Sequence, residues 1–468
     1  MAAAARVKTT GSAGPQIVPP GPPPRAGDWL STLRFYRGFA LDPIGFVRAR
    51  FESYGDVYFV PESPGLYVLR HPDHIRDVLV THAASMSKAH SAFQRLSRFL
   101  GNGLLNSDGD TWKRQRRMVA PAFMPARLAG YASVMSEEGA RTAASWRDGE
   151  TRDMSLEMME LTLRVVGRTL FGEDVGGDVS AVSHAMSAFQ ANATRPIELP
   201  RWMPSPQRRR TERGLASIDA IIARMVRRRR EGGGTPNARP DLLQMLVTAV
   251  DEEGDGGTLS EREVRDQLVT LFLAGHETTS HALTWSLYLL SQHPASAAKV
   301  RAELDDVLSG RAATYEDLPR LQYTERVLEE AMRLYPPAYT VARKVIADVE
   351  IGGFHMPAGS EVMVWIYMTH HDARWFPEPE SFRPERFEPA EAAKLPRFAY
   401  LPFGAGPRAC IGKSFAMLEA KLLLATLLSR CDLSLARDQR VAPQPKITLV
   451  PKHGMRMVVS RRRDGLGR

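Results

Sequence analysis

Between Ser260 and Pro294 the chain reads as one unbroken helix, and that segment limits the fold more than any other. Ser260 followed three residues later by Glu263 is a capping box, which satisfies two of the amide groups left free at a helix start. His293-Pro294 ends the segment. Some 32 residues at 1.5 Å each give a rod of about 48 Å, long enough to cross a whole domain. Leu268 to Ala274 is nearly all apolar, so the rod predicts a path through the core. His276 and Glu277 interrupt it midway, which argues against a membrane span.

Around this helix the pattern is mainly α with a minor β portion. A helical segment covers Asp42 to Ser53. Val57 to Val60 and Leu66 to Leu69 form a hairpin around Glu62-Ser-Pro-Gly65. His74 to about Ile222 is mostly helical. A helix over Leu321 to Leu334 stops at Pro336-Pro337, and short strands follow at Val349 to Ile351, Phe354 to His355 and Glu361 to Trp365. A helix runs from about Ile411 to Ser429, and Lys446 to Val450 with Met455 to Val459 close the chain as a hairpin. Glu231 to Pro236 and Asp251 to Gly257 read as loops. Residues 1–27 form a proline-rich arm, extended over Pro15 to Pro24, and 28–468 read as a single domain.

The 43% hydrophobic and 25% charged composition is that of a globular protein. Net charge is +9, but the basic residues fall in short runs such as Arg208 to Arg210 and Arg227 to Arg230, with no nucleic-acid fingerprint. Met1 to Thr10 is too short in apolar residues for a signal peptide or a membrane anchor, which points to the cytoplasm. With two cysteines, Cys410 and Cys431, a disulfide scaffold is excluded.

Phe403-Gly-Ala-Gly-Pro-Arg-Ala-Cys-Ile-Gly412 carries the most chemistry. Gly404 and Gly406 permit turns and close approaches that a side chain would block. Cys410 stands at the start of a helix, where free amide groups and the helix dipole favour a thiolate. Arg408 offers a fork of donors suited to a carboxylate. A lone cysteine would read as a small buried hydrophobe, and Cys431 is read that way.

The decapeptide resembles the haem-binding signature of the cytochrome P-450 superfamily, Phe-x-x-Gly-x-Arg-x-Cys-x-Gly, at every defined position. Glu330-Ala-Met-Arg333 with Pro384-Glu-Arg-Phe387 resembles the family's Glu-x-x-Arg pair and its partner arginine. Glu330, Arg333 and Arg386 would then form a buried, structural charged network. Ala274-Gly-His-Glu-Thr-Thr279 resembles the oxygen-binding segment. There Gly275 would let the helix loosen, Thr278 would hydrogen-bond the distal oxygen, and Glu277 would relay protons from solvent. Trp112 and Arg116 match a propionate-binding Trp-x-x-x-Arg, and Arg343 resembles a further propionate-binding arginine. His276, Glu277 and His281 miss the His-Glu-x-x-His zinc pattern by one residue, since position 280 is serine.

The resemblance implies a triangular single domain with haem b between the long helix and the Cys410 loop. Cys410 would be the axial ligand of the iron, with Phe403, Gly404, Gly412 and Ala274 against the macrocycle. It implies insertion of one oxygen atom of O2 into a lipophilic small molecule: a terpenoid, fatty acid, steroid or polyketide. Electrons would come from a separate acidic ferredoxin or flavodoxin with its NAD(P)H-dependent reductase, docking on the basic face of Lys113, Arg114 and Arg117. The substrate pocket would draw on Ser85 to Leu100, Met186 to Pro200, Ala274, Thr278, Tyr339 to Val341 and Ile447. A monomer is expected, with no nucleic-acid partner. The intact Glu277-Thr278 pair argues against an O2-independent isomerase or dehydratase, and no segment is left over for the output domain of a non-catalytic haem sensor.

Overall fold

The computed structural model describes residues 17–462 apart from 25–28, 62–63, 92–93, 95–96, 98–99, 174–175, 179–180, 183–184, 186–204, 232–240 and 252–256. The core is a bundle of four long helices: α1 (Pro125–Ser145), α2 (Met154–Leu170), α3 (Glu261–Gln292) and α4 (Lys413–Leu428). The capping box at Ser260 and Glu263 is present, and α3 ends at Gln292 as the sequence predicts. It packs along α2, where the Thr162 hydroxyl donates to the His276 carbonyl at 2.9 Å. α4 lies against α1, and Gly139 lets them close: a Cβ there would stand 3.2 Å from Leu423. α4 is mostly apolar, and from Leu418 to Leu427 every residue is buried, Glu419 and Lys421 included.

A five-stranded sheet flanks this bundle in the order β1-β2-β8-β5-β3. β1 (Val57–Val60) and β2 (Leu66–Leu69) form the expected hairpin, with Val57 opposite Leu69. β8 (Glu361–Val364) runs parallel to β2 and antiparallel to β5 (Val341–Val345), and β3 (Met86–Ser87) closes the edge. β6 (Val349–Ile351) and β7 (Phe354–Met356) pair through Gly352-Gly353, both at positive φ. The described part of the arm is strapped to this region, with the Phe59 amide on the Pro20 carbonyl at 3.0 Å. A helix over Trp29–Leu41 precedes the expected one, which spans Pro43–Tyr54 and is capped by Asp42.

One predicted pairing is wrong. Met455 to Val459 does not fold back on Lys446 to Val450. β12 (Arg456–Arg461) lies between β4 (Thr151–Asp153) and β9 (Cys431–Leu435), so both its edges are hydrogen-bonded and Met457 and Val459 are buried. β11 (Leu449–Pro451) pairs instead with β10 (Pro443–Pro445). A strand with two partners buries more than a hairpin arm with one. Cys431 opens β9 and is fully buried, as expected. The loops read at 231–236 and 251–257 and the pocket segment Met186 to Pro200 lie largely or wholly outside the described residues, as does the first part of the arm.

Candidate haem-binding site

The loop from Phe403 to Gly412 is built by its own backbone. Gly404 and Gly406 stand at φ +67° and +70°, the left-handed region that penalises a Cβ. A Cβ at Gly406 would also stand 1.9 Å from the Leu79 carbonyl oxygen. The Cys410 amide donates to the Phe403 carbonyl at 2.9 Å, which folds the loop back on itself and holds the cysteine out at its tip. α4 begins at Lys413 with Gly412 as its cap, two residues later than the sequence predicts for the helix start. The Cys410 side chain is accessible, yet it stands inside the body of the protein. Burial pushes its thiol up, against the opposing pull of the Gly412 amide and the Arg116 guanidinium. A cationic metal at the sulfur would outweigh burial and deprotonate it.

Beside the cysteine lies an excess of positive charge. Trp112 and Arg116 are on a helix over Gly109–Val119, whose N-cap is Asp108. Arg116 donates to the Ala409 carbonyl at 3.1 Å, and Arg408 lies 4.0 Å from the Trp112 ring centre. Arg408 also donates to Ser107 O at 2.8 Å and pairs with Asp108. Arg343 is buried, and among the described residues it donates one hydrogen bond, to the adjacent Ala342 carbonyl. Burial, then Arg408, pushes it down to about 10, against the pull of Asp108. Lys88 is pushed well down by burial, then by Arg343 and Arg408. Among the described residues, Lys88, Arg343 and Arg408 thus gather around Asp108, with Arg116 close to Arg408. A group with two carboxylates fits this cluster, and the donor set of one thiol with several guanidinium groups fits haem and its propionates.

The burial of α3 also marks a face. Between Asp266 and Leu290 it is buried except at Ala274, which is exposed, and at Gly275, Thr278 and Tyr288, which are half-buried. Ala274 and Thr278 are i, i+4 neighbours on one face. The Thr278 hydroxyl donates to the Ala274 carbonyl at 2.9 Å. Gly275 does not loosen the helix, which continues through it; its missing side chain leaves room for Val166 of α2, 3.2 Å from where a Cβ would be.

Glu277 is not beside the Thr278 hydroxyl and does not reach solvent. It is buried, accepts a hydrogen bond from Thr448 Oγ1 at 2.5 Å, and lies 3.7 Å from His281 Nε2. Burial raises its carboxyl, but His281, Thr448 and His276 together hold it below its ordinary value.

The structure brings Glu330, Arg333 and Arg386 together. Arg333 and Glu330 are fully buried and joined by two 2.8 Å hydrogen bonds on a helix over Gln322–Leu334. Arg333 also donates to the carbonyls of His370, Pro379 and Ser381, and Arg386 Nε reaches Glu330 at 3.3 Å. Sequence reasoning missed His370. Its Nε2 accepts the Leu401 amide at 2.9 Å, so Nδ1 carries the proton toward the Arg333 carbonyl at 3.2 Å. This histidine ties the network to the entry of the cysteine loop. Asp108 could have been found as an acid before a helix start and was not; Lys88 fell within the expected pocket segment Ser85 to Leu100, and Thr448 carried no signal.

The predicted basic docking face is partly neutralised. Arg117 pairs with Asp251 at 2.8 Å and Arg114 with Glu263 at 2.9 Å, which leaves Lys113 beside the exposed Asp110. No described helix is long and apolar enough to cross a membrane.

Residues 20–457 match the cytochrome P450 family model. The chain is 38% identical to cyclooctatin synthase of Streptomyces melanosporofaciens over 92% of its length and 93% of the relative's. It is 35% identical to cyclooctat-9-en-7-ol 5-monooxygenase of the same organism, over 94% and 91%. To pentalenene oxygenase of Streptomyces avermitilis it is 32% identical, over 90% and 94%. The crystal structure of a mutant cytochrome P450DA heme domain superposes with a TM-score of 0.83 at 26% identity, over 95% of this chain and 98% of that one. The chain belongs to the cytochrome P450 family. It is a haem-dependent monooxygenase, an oxidoreductase that uses O2 and an electron donor.

Proposed function

We propose that the protein oxidises a polycyclic terpenoid at carbon, with haem b that the sulfur of Cys410 would hold. The reaction centre is carried by one observation: an accessible cysteine held out by a glycine loop, with Arg116, Arg343 and Arg408 gathered beside it. The substrate class rests on the three relatives named for terpenoid products or substrates. Arg116, Arg343 and Arg408 would hold the propionates, with Arg408 over the Trp112 ring. Phe403, Gly404, Gly412 and Ala274 would border the ring. Glu330, Arg333 and Arg386 keep the loop in place without touching the reaction.

Haem supplies the activation of O2 and the transfer of oxygen. The chain's own residues do the rest. Ala274 and the Thr278 hydroxyl line the face of α3 on which substrate and O2 meet. Glu277 is the acid that hands protons toward that face, and Thr278 receives them. Residues 28–468 act as one domain, monomeric and cytoplasmic. Electrons arrive from a separate acidic ferredoxin or flavodoxin served by an NAD(P)H-dependent reductase.

The test is the absorption spectrum of the reduced protein with carbon monoxide. The red-shifted Soret band of thiolate-ligated haem is expected, and Cys410→Ala removes it. The band of a histidine-ligated haem in well-folded wild-type protein overturns the assignment. Incubation with cyclooctat-9-en-7-ol or pentalenene and a ferredoxin system then tests the substrate class: a product heavier by one oxygen atom supports it. No turnover of either, alongside turnover of a fatty acid or steroid, replaces it.

A further inference from the structure

The structure turns the catalytic acid away from the face it serves. Glu277 and Thr278 are adjacent in the chain, but 100° of helix rotation separates them. The Thr278 hydroxyl is engaged with the Ala274 carbonyl, while the Glu277 carboxylate accepts from Thr448 at 2.5 Å. Thr448 is itself buried. It ends the three-residue turn, 446–448, between β10 and β11. That turn is closed by the Lys446 amide on Thr448 O at 2.9 Å. It is fastened from outside by the Tyr339 hydroxyl on Lys446 O at 2.7 Å and by the Leu449 amide on Pro337 O at 3.0 Å. Ile447, expected at the substrate pocket, stands between the fastened residue and the latching one. His281 closes the other side of the carboxylate at 3.7 Å, and neither of its ring nitrogens has a hydrogen-bond partner among the described residues.

We propose that Thr448 is a positioning residue, a latch that withholds the Glu277 carboxylate from Thr278 in the substrate-free protein. The proposal rests on the reading of Glu277 as the proton-delivering acid. The hydroxyl of Thr448 does this in two ways. Its hydrogen bond fixes the rotamer of the carboxylate, and it favours the ionised form, which has no proton to give. The latch belongs to the turn that carries Ile447, so the acid is tethered to the pocket wall and not to a remote surface. Withholding protons while no substrate is bound suppresses the wasteful reaction in which NADPH, H+ and O2 become NADP+ and H2O2.

The experiment uses the haem-loaded protein with a plant-type ferredoxin, its NADPH-dependent reductase and no added substrate. NADPH oxidation is measured in H2O and in D2O, normalised to the carbon monoxide band. Thr448→Val is expected to raise the substrate-free rate at least threefold and to shrink the solvent isotope effect. Thr448→Ser, which keeps the hydroxyl, is expected to behave as wild type, and Thr448→Val with Glu277→Gln is expected to abolish the rise. A valine variant that is unchanged or slower, or a serine variant that behaves like valine, overturns the latch. If Glu277→Gln alone alters the isotope effect in that case, the acid assignment stands without the latch. A rise that persists in the double variant overturns the acid assignment itself. Should the valine variant take up no haem, His281→Phe carries the same prediction from the other side of the carboxylate, and an unchanged rate there overturns it.

Discussion

Arg333→Lys tests whether the charged network is held by charge or by geometry. The substitution keeps the positive charge in a site with no solvent contact. Arg333 spends all five of its N–H groups: two on Glu330 at 2.8 Å each, and one each on His370 O at 2.9 Å, Pro379 O at 2.7 Å and Ser381 O at 3.1 Å. An ammonium has three N–H groups at a single point, so at least two acceptors lose their donor. Each buried acceptor left unpaired costs about 1–3 kcal/mol, which puts the loss at about 2–6 kcal/mol. A domain stability of about 5–15 kcal/mol makes that a large fraction. The loss should also reach the cysteine loop, because His370 links Arg333 to Leu401. Urea unfolding followed by haem absorbance and far-ultraviolet dichroism measures it. Arg326→Lys, at the partly exposed Glu388 pair, is the control and should stay within about 1 kcal/mol. Arg333→Lys within 1 kcal/mol of wild type, with full haem, would refute the reasoning.

Gly406→Ala should abolish most haem uptake, since its Cβ would collide with the Leu79 carbonyl. Gly404→Ala, with open space around its Cβ, should cost only the positive-φ penalty of about 1–2 kcal/mol; carbon monoxide band amplitude separates the two. Lys113→Glu should slow reduction by an acidic ferredoxin at low salt, with the effect fading toward 1 M salt, where the screening length falls to about 3 Å. Stopped-flow reduction rates check this, and Arg117→Glu is a poor substitute because it would face Asp251. Glu329 is pushed up to about 7 by burial and by Glu325. Its folded form therefore holds a proton that the unfolded chain releases near 4.5, and stability should fall as pH rises from about 4.5 through 7. Glu329→Gln should flatten that fall in urea midpoints taken at pH 5 and pH 8.

What the sequence disclosed divides along a physical line. Local signals were read well: the capping box at Ser260, the positive-φ glycines around Cys410, the Glu330 and Arg333 pair one helical turn apart, and the hairpin at β1 and β2. Each is written in residues three or four positions apart or in a tight turn. The errors came where two distant segments compete for one partner. β12 reads as a hairpin arm beside β11, but its pairing is decided by β4 and β9, more than 300 and about 25 residues away. Gly275 suggested a loosened helix, and only the position of Val166 on α2 shows that the missing side chain serves packing. The direction of Glu277 depends on Thr448, 171 residues along the chain, and nothing near either residue announces the contact. Arg114 and Arg117 read as a basic face until Glu263 and Asp251 fold against them.

The same division explains how the site is supported. Lys88, Arg343 and Arg408 gather around Asp108, and burial followed by Arg408 pushes Arg343 down to about 10, so this cluster is the less compensated of the two. Arg333 is the opposite case: its charge is matched by Glu330, every donor has an acceptor, and its arrangement is complete within the chain. One network is satisfied within the chain, and the other would gain from an anionic ligand in contact. A ligand that binds the folded state alone adds stability in proportion to the logarithm of its concentration over its dissociation constant. Haem bound at the cation cluster would therefore add to the stability of the fold, and the His370 connection between Arg333 and Leu401 ties the satisfied network to the entry of the cysteine loop.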